Sequence, residues 1–458
     1  MQNKLNYKRT FFIGMAFLSI CAFWQMYDNI IPLMLQNTFG LGETVTGALM
    51  AMDNVLAVLL LPLFGTLSDK VDTRFGKRTP FIVGGTVLAV LFMLMLPAAE
   101  QGKNLVWFII ALFATLLAMG LYRSPAVALM PDLTPNRLRS RANAVINLMG
   151  AVGGVYALIM IKFLVSPGER PDYMPLFLSI AAIMVIAVGI LVLTIKENKI
   201  RAQVEQEEAK EAAAEAAEEG MEKAAVEAAK RQTAVNVAKE QAAPEKKEKA
   251  GKTVLPKEVK RSMYFMLASI FFWFMAYNAV TTAFSRYTRV VWKMEGGNFA
   301  DCLMVATVAA ILSYIPIGNI SARIGRKKTI MGGVVLMAAC YGGAIFAQSY
   351  HPAVNIAFAL IGIAWAAINV NSYPMIVAMS QGSDIGKFTG TYYTFSMTAQ
   401  IVTPILSGFL LEKVSYQTLF PYAVFFSLMA FLTMTQVRHG DVKPQKKESI
   451  LENFDVED

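Results

Sequence analysis

Gly65-Thr66-Leu67-Ser68-Asp69-Lys70-Val71-Asp72-Thr73-Arg74-Phe75-Gly76-Lys77-Arg78-Thr79-Pro80 is a short, basic, glycine-bounded loop between two long apolar runs. It returns in shortened form as Gly318-Asn319-Ile320-Ser321-Ala322-Arg323-Ile324-Gly325-Arg326-Lys327-Lys328, again between apolar runs. One such loop in each half of the chain predicts a duplicated membrane bundle.

Working outward from that loop, the composition agrees. Hydrophobic residues make up 55% of the chain and charged residues only 16%, and the charge gathers between the apolar runs. A soluble chain of this size would scatter charge over every helix. A bilayer core of about 30 Å needs about 20 apolar residues per spanning helix. Twelve runs of that order can be drawn, near 11–35, 45–66, 79–97, 104–130, 143–165, 174–195, 262–285, 299–318, 330–348, 352–378, 388–410 and 417–436. They read as helices, because only helices and closed barrels satisfy their backbone in lipid and barrel strands would alternate polar and apolar residues. The expected fold is therefore an all-α membrane protein of twelve transmembrane helices.

The duplication has a register. Trp24 and Trp273, Asn29 and Asn278, and Pro125 and Pro374 are each 249 positions apart, and the two basic loops are 253 apart. One offset linking three different helix pairs implies two six-helix halves, over 1–196 and 261–437. Between them, 197–260 is rich in Ala, Glu and Lys, contains Glu205-Gln206-Glu207-Glu208 and Glu245-Lys246-Lys247-Glu248-Lys249, and has no apolar stripe. It reads as a solvated, partly helical charged linker. Residues 438–458 form a tail.

Lys and Arg set the orientation. The N-terminus, the loops after the second, fourth and eighth spans, and the linker are basic, so both termini are expected in the cytoplasm. Arg286, Arg289 and Lys293 are an exception on the outer side and read as a local feature of a vestibule. Basic loops against an anionic leaflet account for the net charge of +9, and no nucleic-acid partner is implied. The N-terminal run reads as a span rather than a cleavable signal, since it is long, lacks a small-residue cleavage site and carries Asp28. Cys21, Cys302 and Cys340 fall in spans without motif spacing and read as packing residues, so no disulfide, metal or cofactor is implied.

Parallel six-helix halves describe a transporter whose substrate sits at the midplane between rocking halves. The paired loops resemble the loop signature of the major facilitator superfamily, over the whole chain except the linker. Within it, Ser68-Asp69 followed by Arg74 through Phe81, and Pro125 through Thr134 followed by Arg137 and Arg139, resemble the glycoside, pentoside and hexuronide:cation symporters and the related sucrose:proton symporters. The resemblance implies a multi-pass protein of the inner or plasma membrane that carries a small sugar with a coupling ion. Both halves lie on one polypeptide, which favours a monomer.

The loop's physical role does not depend on the family. Gly65 permits close helix approach, and Asp69 can accept from a neighbouring helix N-terminus or pair with Arg78. A conformational latch is expected at Gly65, Asp69, Arg74, Gly76 and Arg78, with Gly318, Arg323, Gly325 and Arg326 in the second half; a pure topology signal is the alternative.

A charge near the bilayer centre costs roughly 2.5–3.5 kcal/mol on insertion scales, so each needs a reason. Asp28, Asp53 and Arg123 lie inside spans, while Lys162 and Asp301 lie near span ends and can snorkel. Asp28 and Asp53 are each about eight residues from the outer ends of their helices, about 12 Å deep, and Arg123 can pair with one of them. Two acids and one base leave one carboxylate unbalanced, a natural proton carrier. In the resembled sodium-coupled melibiose-type members, an aspartate two residues before the proline matching Pro125 is a cation ligand, with further ligands just ahead of the proline matching Pro62. Here those positions hold Arg123, Ala57 and Leu61, so that sodium site cannot form and proton coupling through Asp28 or Asp53 is expected. The sucrose-type members also carry an arginine near Val127, which this chain lacks.

A sugar needs hydrogen-bonding amides and carboxylates and an aromatic face. The expected partners are Trp24, Asp28, Arg123, Asn143, Asn147, Tyr277, Asn278, Asn371, Tyr392 and Gln400, although polar groups also join membrane helices. An enzyme is not expected, for want of a Gly-x-Ser-x-Gly elbow or a His-rich helix, and a channel would need a symmetric pore ring. The expectation is proton-coupled sugar import by alternating access, with an exporter of drugs or metabolites, or a sugar uniporter, as the alternatives.

Overall fold

The structure is a computed structural model and describes residues 5–168, 170–210, 213, 256–379 and 385–441. Twelve long helices carry the bundle: α1 Tyr7–Asn37, α2 Glu43–Lys70, α3 Thr79–Gln101, α4 Leu105–Asp132, α5 Arg139–Leu164, α6 Met174–Thr194, α7 Lys257–Val290, α8 Ala300–Ile324, α9 Arg326–Ala344, α10 Val354–Met379, α11 Ile385–Lys413 and α12 Leu419–Thr435. Eleven are long and apolar enough to cross a membrane. The remaining helix, α9, has 19 residues and opens on Arg326-Lys327-Lys328, which lowers its apolarity. It nonetheless packs on α10 and α12 just as α3 packs on α4 and α6.

That correspondence runs through both halves. In the first, α1 packs on α5 and α6, and α4 on α2 and α3; in the second, α7 packs on α11 and α12, and α10 on α8 and α9. The halves meet through α2 on α11, α5 on α8 and α1 on α7. The first two seams are equivalents of one another under the repeat, so the interface has a pseudo-twofold axis along the bundle.

Close approach in these seams needs residues without a side chain. A Cβ on Gly47 of α2 would lie 2.1 Å from the Pro404 carbonyl oxygen of α11, and one on Gly408 would lie 2.6 Å from the Glu43 carbonyl oxygen. Small residues at such crossings let van der Waals contact replace a hydrophobic drive that lipid cannot supply.

With twelve spans, the start of α1 and the end of α12 share one face, the termini face. The start of the expected linker, 197–210, is helical, but its first residue, Glu197, is buried rather than solvated. Most of the linker and the tail beyond Asp441 lie outside the described residues.

Candidate functional site

Three helices of the first half bring the intramembrane charges together. Arg123 of α4 reaches across to α1, where its guanidinium carbon lies 5.8 Å from the centre of the Trp24 ring, a cation–π contact. Asp53 of α2 lies in the field of Arg123, and Asp28 of α1 lies in the field of Asp53. Tyr27 lies in the field of both carboxylates. Arg123 thus touches the Trp24 ring of α1 and its charge is felt by Asp53 of α2. Asp53 also accepts from the Asn54 amide side chain at 2.7 Å.

Three polar atoms, Trp24 Nε1 and the Tyr27 hydroxyl on α1 and Asn278 Nδ2 on α7, are buried without a hydrogen-bond partner among the described residues. All three are donors, so a ligand or water there must present acceptors. Opposite on the second half, Tyr277 of α7 stacks on Trp365 of α10 with ring centres 3.8 Å apart and planes 7° apart, and Phe274 meets the same indole edge-on at 5.4 Å. Nothing in the sequence singles out Trp365, because a tryptophan in an apolar run carries no charge penalty to mark it.

The other expected partners lie on further helices. Asn143 and Asn147 are half-buried on α5, and Gln400 is half-buried on α11. Tyr392 is fully buried on α11, its ring edge-on to Tyr373 and its hydroxyl 3.4 Å from Ser372 Oγ of α10. Asn371 is held by protein partners. It is buried, its Oδ1 accepts from the Ser321 hydroxyl of α8 and its Nδ2 donates to the Ala367 carbonyl at 2.9 Å. Its amide joins α8 and α10.

The termini face carries a second polar cluster, built on the basic loop. Arg78 is buried, and its guanidinium donates to Asp69 at 2.5 Å, Asp132 at 2.8 Å and Ser68 Oγ at 2.5 Å, so α2, α3 and α4 are tied at one point. Gly65 offers its carbonyl to the same guanidinium at 3.4 Å. Glu197 lies above it. Its carboxylate accepts the backbone N–H groups of Lys77, Arg78 and Thr79 and the Thr79 hydroxyl, at 2.6–2.9 Å, and so caps the open N-terminus of α3. Gly76, at φ 120°, makes the turn; a Cβ there would lie 2.1 Å from a Glu197 oxygen. Arg74 is exposed and rests on the Phe75 ring at 4.7 Å.

The second half repeats the cap, while no ion pair matching those of Arg78 is seen among the described residues. Asp441, just past α12, accepts from the Lys327 N–H at the start of α9 at 3.0 Å, as Glu197 does just past α6. Gly325, at φ 95°, ends α8 beneath it, and Arg326 donates to the Pro374 carbonyl at 3.3 Å. Arg323 is exposed, and Gly318 is half-buried within α8. Here Ser321, the equivalent of Ser68 at the loop offset of 253, donates to Asn371 of α10.

On the opposite face the halves are joined by charge. Arg286 of α7 and Glu43 of α2 are 5% and 3% exposed, and Arg286 Nε donates to Glu43 at 2.8 Å. The Tyr416 hydroxyl donates to the same carboxylate. Glu412 of α11 accepts from the Thr44 N–H at 2.9 Å, and Lys162 of α5 pairs with Asp301 of α8 at 2.7 Å. Above Glu43 opens a crevice of about 850 Å³, lined by Gln36, Gln348, Glu412, Tyr416 and Gln417. Arg286, which stands out in sequence only as a charge on the wrong side, is thus one half of an inter-half pair, and Lys162 and Asp301 do not merely snorkel.

Two pseudo-symmetric six-helix halves meeting around intramembrane charge define a multi-pass membrane transporter, not an enzyme. The chain belongs to the major facilitator superfamily: the family profile, described as Major Facilitator Superfamily, matches residues 13–306 and 294–454. Among curated relatives, sucrose transport protein SUC3 of Arabidopsis thaliana is 26% identical over 151 residues, covering 29% of this chain and 25% of that protein. Sucrose transport protein SUC4 of the same plant is 33% identical over 109 residues, 20% of this chain and 21% of that one. Lincomycin resistance protein LmrB of Listeria innocua is 23% identical over 141 residues, 31% of this chain and 29% of that one. The chain thus spans about a quarter of the length of these relatives. The fold is that of a solved nucleoside transporter, a point mutant of NupG, at TM-score 0.65 and 14% identity over 94% of this chain and 100% of that one. It is equally that of a bacterial homologue of the iron transporter ferroportin, at TM-score 0.63 and 12% identity over 95% and 99%.

Proposed function

We propose that this protein imports a glycoside or oligosaccharide together with a proton, by alternating access across a cell membrane with both termini in the cytoplasm. The observation that carries the reading is the mid-depth cluster of Asp28, Asp53, Arg123 and Trp24 with its unpartnered donors. Sugar hydroxyls accept from Trp24, Tyr27 and Asn278, donate to a carboxylate, and lay a C–H face on the Tyr277–Trp365 stack. The local matches to sucrose transport proteins point the same way. One acid balanced by Arg123 leaves the other free to carry a proton, and a membrane potential contributes about 2.3 kcal/mol per charge per 100 mV.

In this account the face with Glu43 and Arg286 is external and closed, and the Arg78 cluster governs the cytoplasmic end. Breaking a buried ion pair by removing one partner costs about 3–5 kcal/mol. Arg286→Ala is therefore expected to open the outer seam. Alkylation of a cysteine introduced as Thr46→Cys by an impermeant maleimide should quicken more than about tenfold, and an unchanged rate would rule the pair out as a gate.

A drug exporter is the second reading, favoured by the aromatic wall and the match to a lincomycin resistance protein. Counterflow of labelled sucrose in proteoliposomes separates the two. The import reading expects exchange that unlabelled disaccharides inhibit and lincomycin does not, and a Trp365→Ala variant with KM raised about tenfold, the value of one lost stacking and burial contact of about 1–1.5 kcal/mol. Inhibition by lincomycin alone would support the exporter.

A further inference from the structure

Lys257, Lys260 and Arg261 stand at i, i+3 and i+4 in the first turns of α7, so one helix face carries three cations. With Phe265 and Ala268 below them and Thr433 of α12 beside them, they line a groove of about 460 Å³. None of the three has an ion-pair partner among the described residues. The Arg261 guanidinium lies 5.7 Å from the Phe265 ring centre, which holds it over the groove's apolar floor. Glu258 is exposed and stands three positions before Arg261, at the edge of the face, so the three cations there outnumber one carboxylate.

The surroundings are those of a lipid contact. Tyr264, 65% exposed, stands at the rim, where a phenol suits the level between head groups and acyl chains. On α12, Phe425, Leu428 and Leu432 are 57%, 50% and 57% exposed and form one apolar stripe leading away from the groove. A free phosphate would use the cations and ignore the stripe; a phospholipid uses both.

We propose that this groove is a binding site for an anionic phospholipid, whose phosphodiester is held by Lys257, Lys260 and Arg261 and whose acyl chains lie along α12. Basic pockets between spans at the anionic leaflet hold such head groups, each cation adding to the attraction. The same helix, α7, carries Arg286 at its other end and has no internal proline to decouple the two. The site is independent of which substrate the protein carries.

The test uses the full-length protein in neutral detergent, titrated with phosphatidylglycerol and with phosphatidylcholine bearing the same fluorescent chain. Wild type is expected to bind phosphatidylglycerol at least about tenfold more tightly, and the variant K257Q/K260Q/R261Q to lose that preference while its affinity for phosphatidylcholine stays within about twofold. All three positions are exposed, and a lysine-to-arginine variant, K257R/K260R, should retain the preference. Soluble glycerol phosphate should not displace the bound lipid. A preference that survives in the neutral variant, equal binding of the two lipids, or displacement by glycerol phosphate would each overturn the proposal, the last in favour of a phosphate site.

Discussion

Arg78→Ala is expected to lower the maximal rate of substrate uptake by more than about tenfold while the protein still reaches the membrane. The arginine is buried and serves acceptors on two neighbouring helices, with α2 supplying Ser68 and Asp69 and α4 supplying Asp132. A charge-assisted bond to a partly buried carboxylate contributes about 1.5–3 kcal/mol. The Asp69 contact is worth less, since that side chain is 57% exposed and its field is screened. A net bias of about 2–3 kcal/mol toward one access state follows, enough to shift its population roughly 30- to 150-fold. Arg78→Lys should recover little, because an ammonium cannot present the planar fork to acceptors on two helices. Asp69→Ala should cost only a few-fold. Transport assayed in proteoliposomes at matched protein content checks the order Arg78→Ala, Arg78→Lys, Asp69→Ala; equal effects from all three would mean that the loop sets topology alone.

The largest effect is expected from the carboxylates, and their two neutral variants should differ in kind. Asp53 lies in the field of Arg123, whereas Asp28 has another carboxylate as its charged neighbour. Asp28→Asn should leave Arg123 the Asp53 charge as its counterpart and remove the proton site, so accumulation against a gradient is lost while exchange of substrate across the membrane continues. Asp53→Asn leaves the arginine without its counter-charge in a low-dielectric setting, and both accumulation and exchange should fall. Transporters in which the proton rides on Asp53 would show the reverse pattern.

Much of this was legible in sequence because the membrane enforces simple rules. Span lengths followed from bilayer thickness, and the offset linking Trp24 to Trp273 reappears as the shared packing scheme of the halves. Asp28, Asp53 and Arg123 were conspicuous because charge inside lipid is costly. What stayed hidden had no such cost attached. Glu43 sits at the lip of a span, where a carboxylate is ordinary, and only the fold reveals Arg286 and Tyr416 against it. Glu197 fell on the linker side of a boundary drawn by composition, yet it caps α3 through contacts 120 positions back in the chain. Asn371 shows the converse, since a polar residue beside a helix proline can be an internal join as readily as a ligand.

The central claim, that a sugar moves with a proton through this cluster, is tested most directly by disaccharide uptake into vesicles holding the purified protein. Uptake of labelled α- and β-linked disaccharides would be followed with and without an imposed inward proton gradient, for wild type and Asp28→Asn. The account predicts accumulation above equilibrium that requires the gradient and disappears in Asp28→Asn. Gradient-driven accumulation that survives in Asp28→Asn, or no disaccharide uptake by the wild type at all, would contradict it.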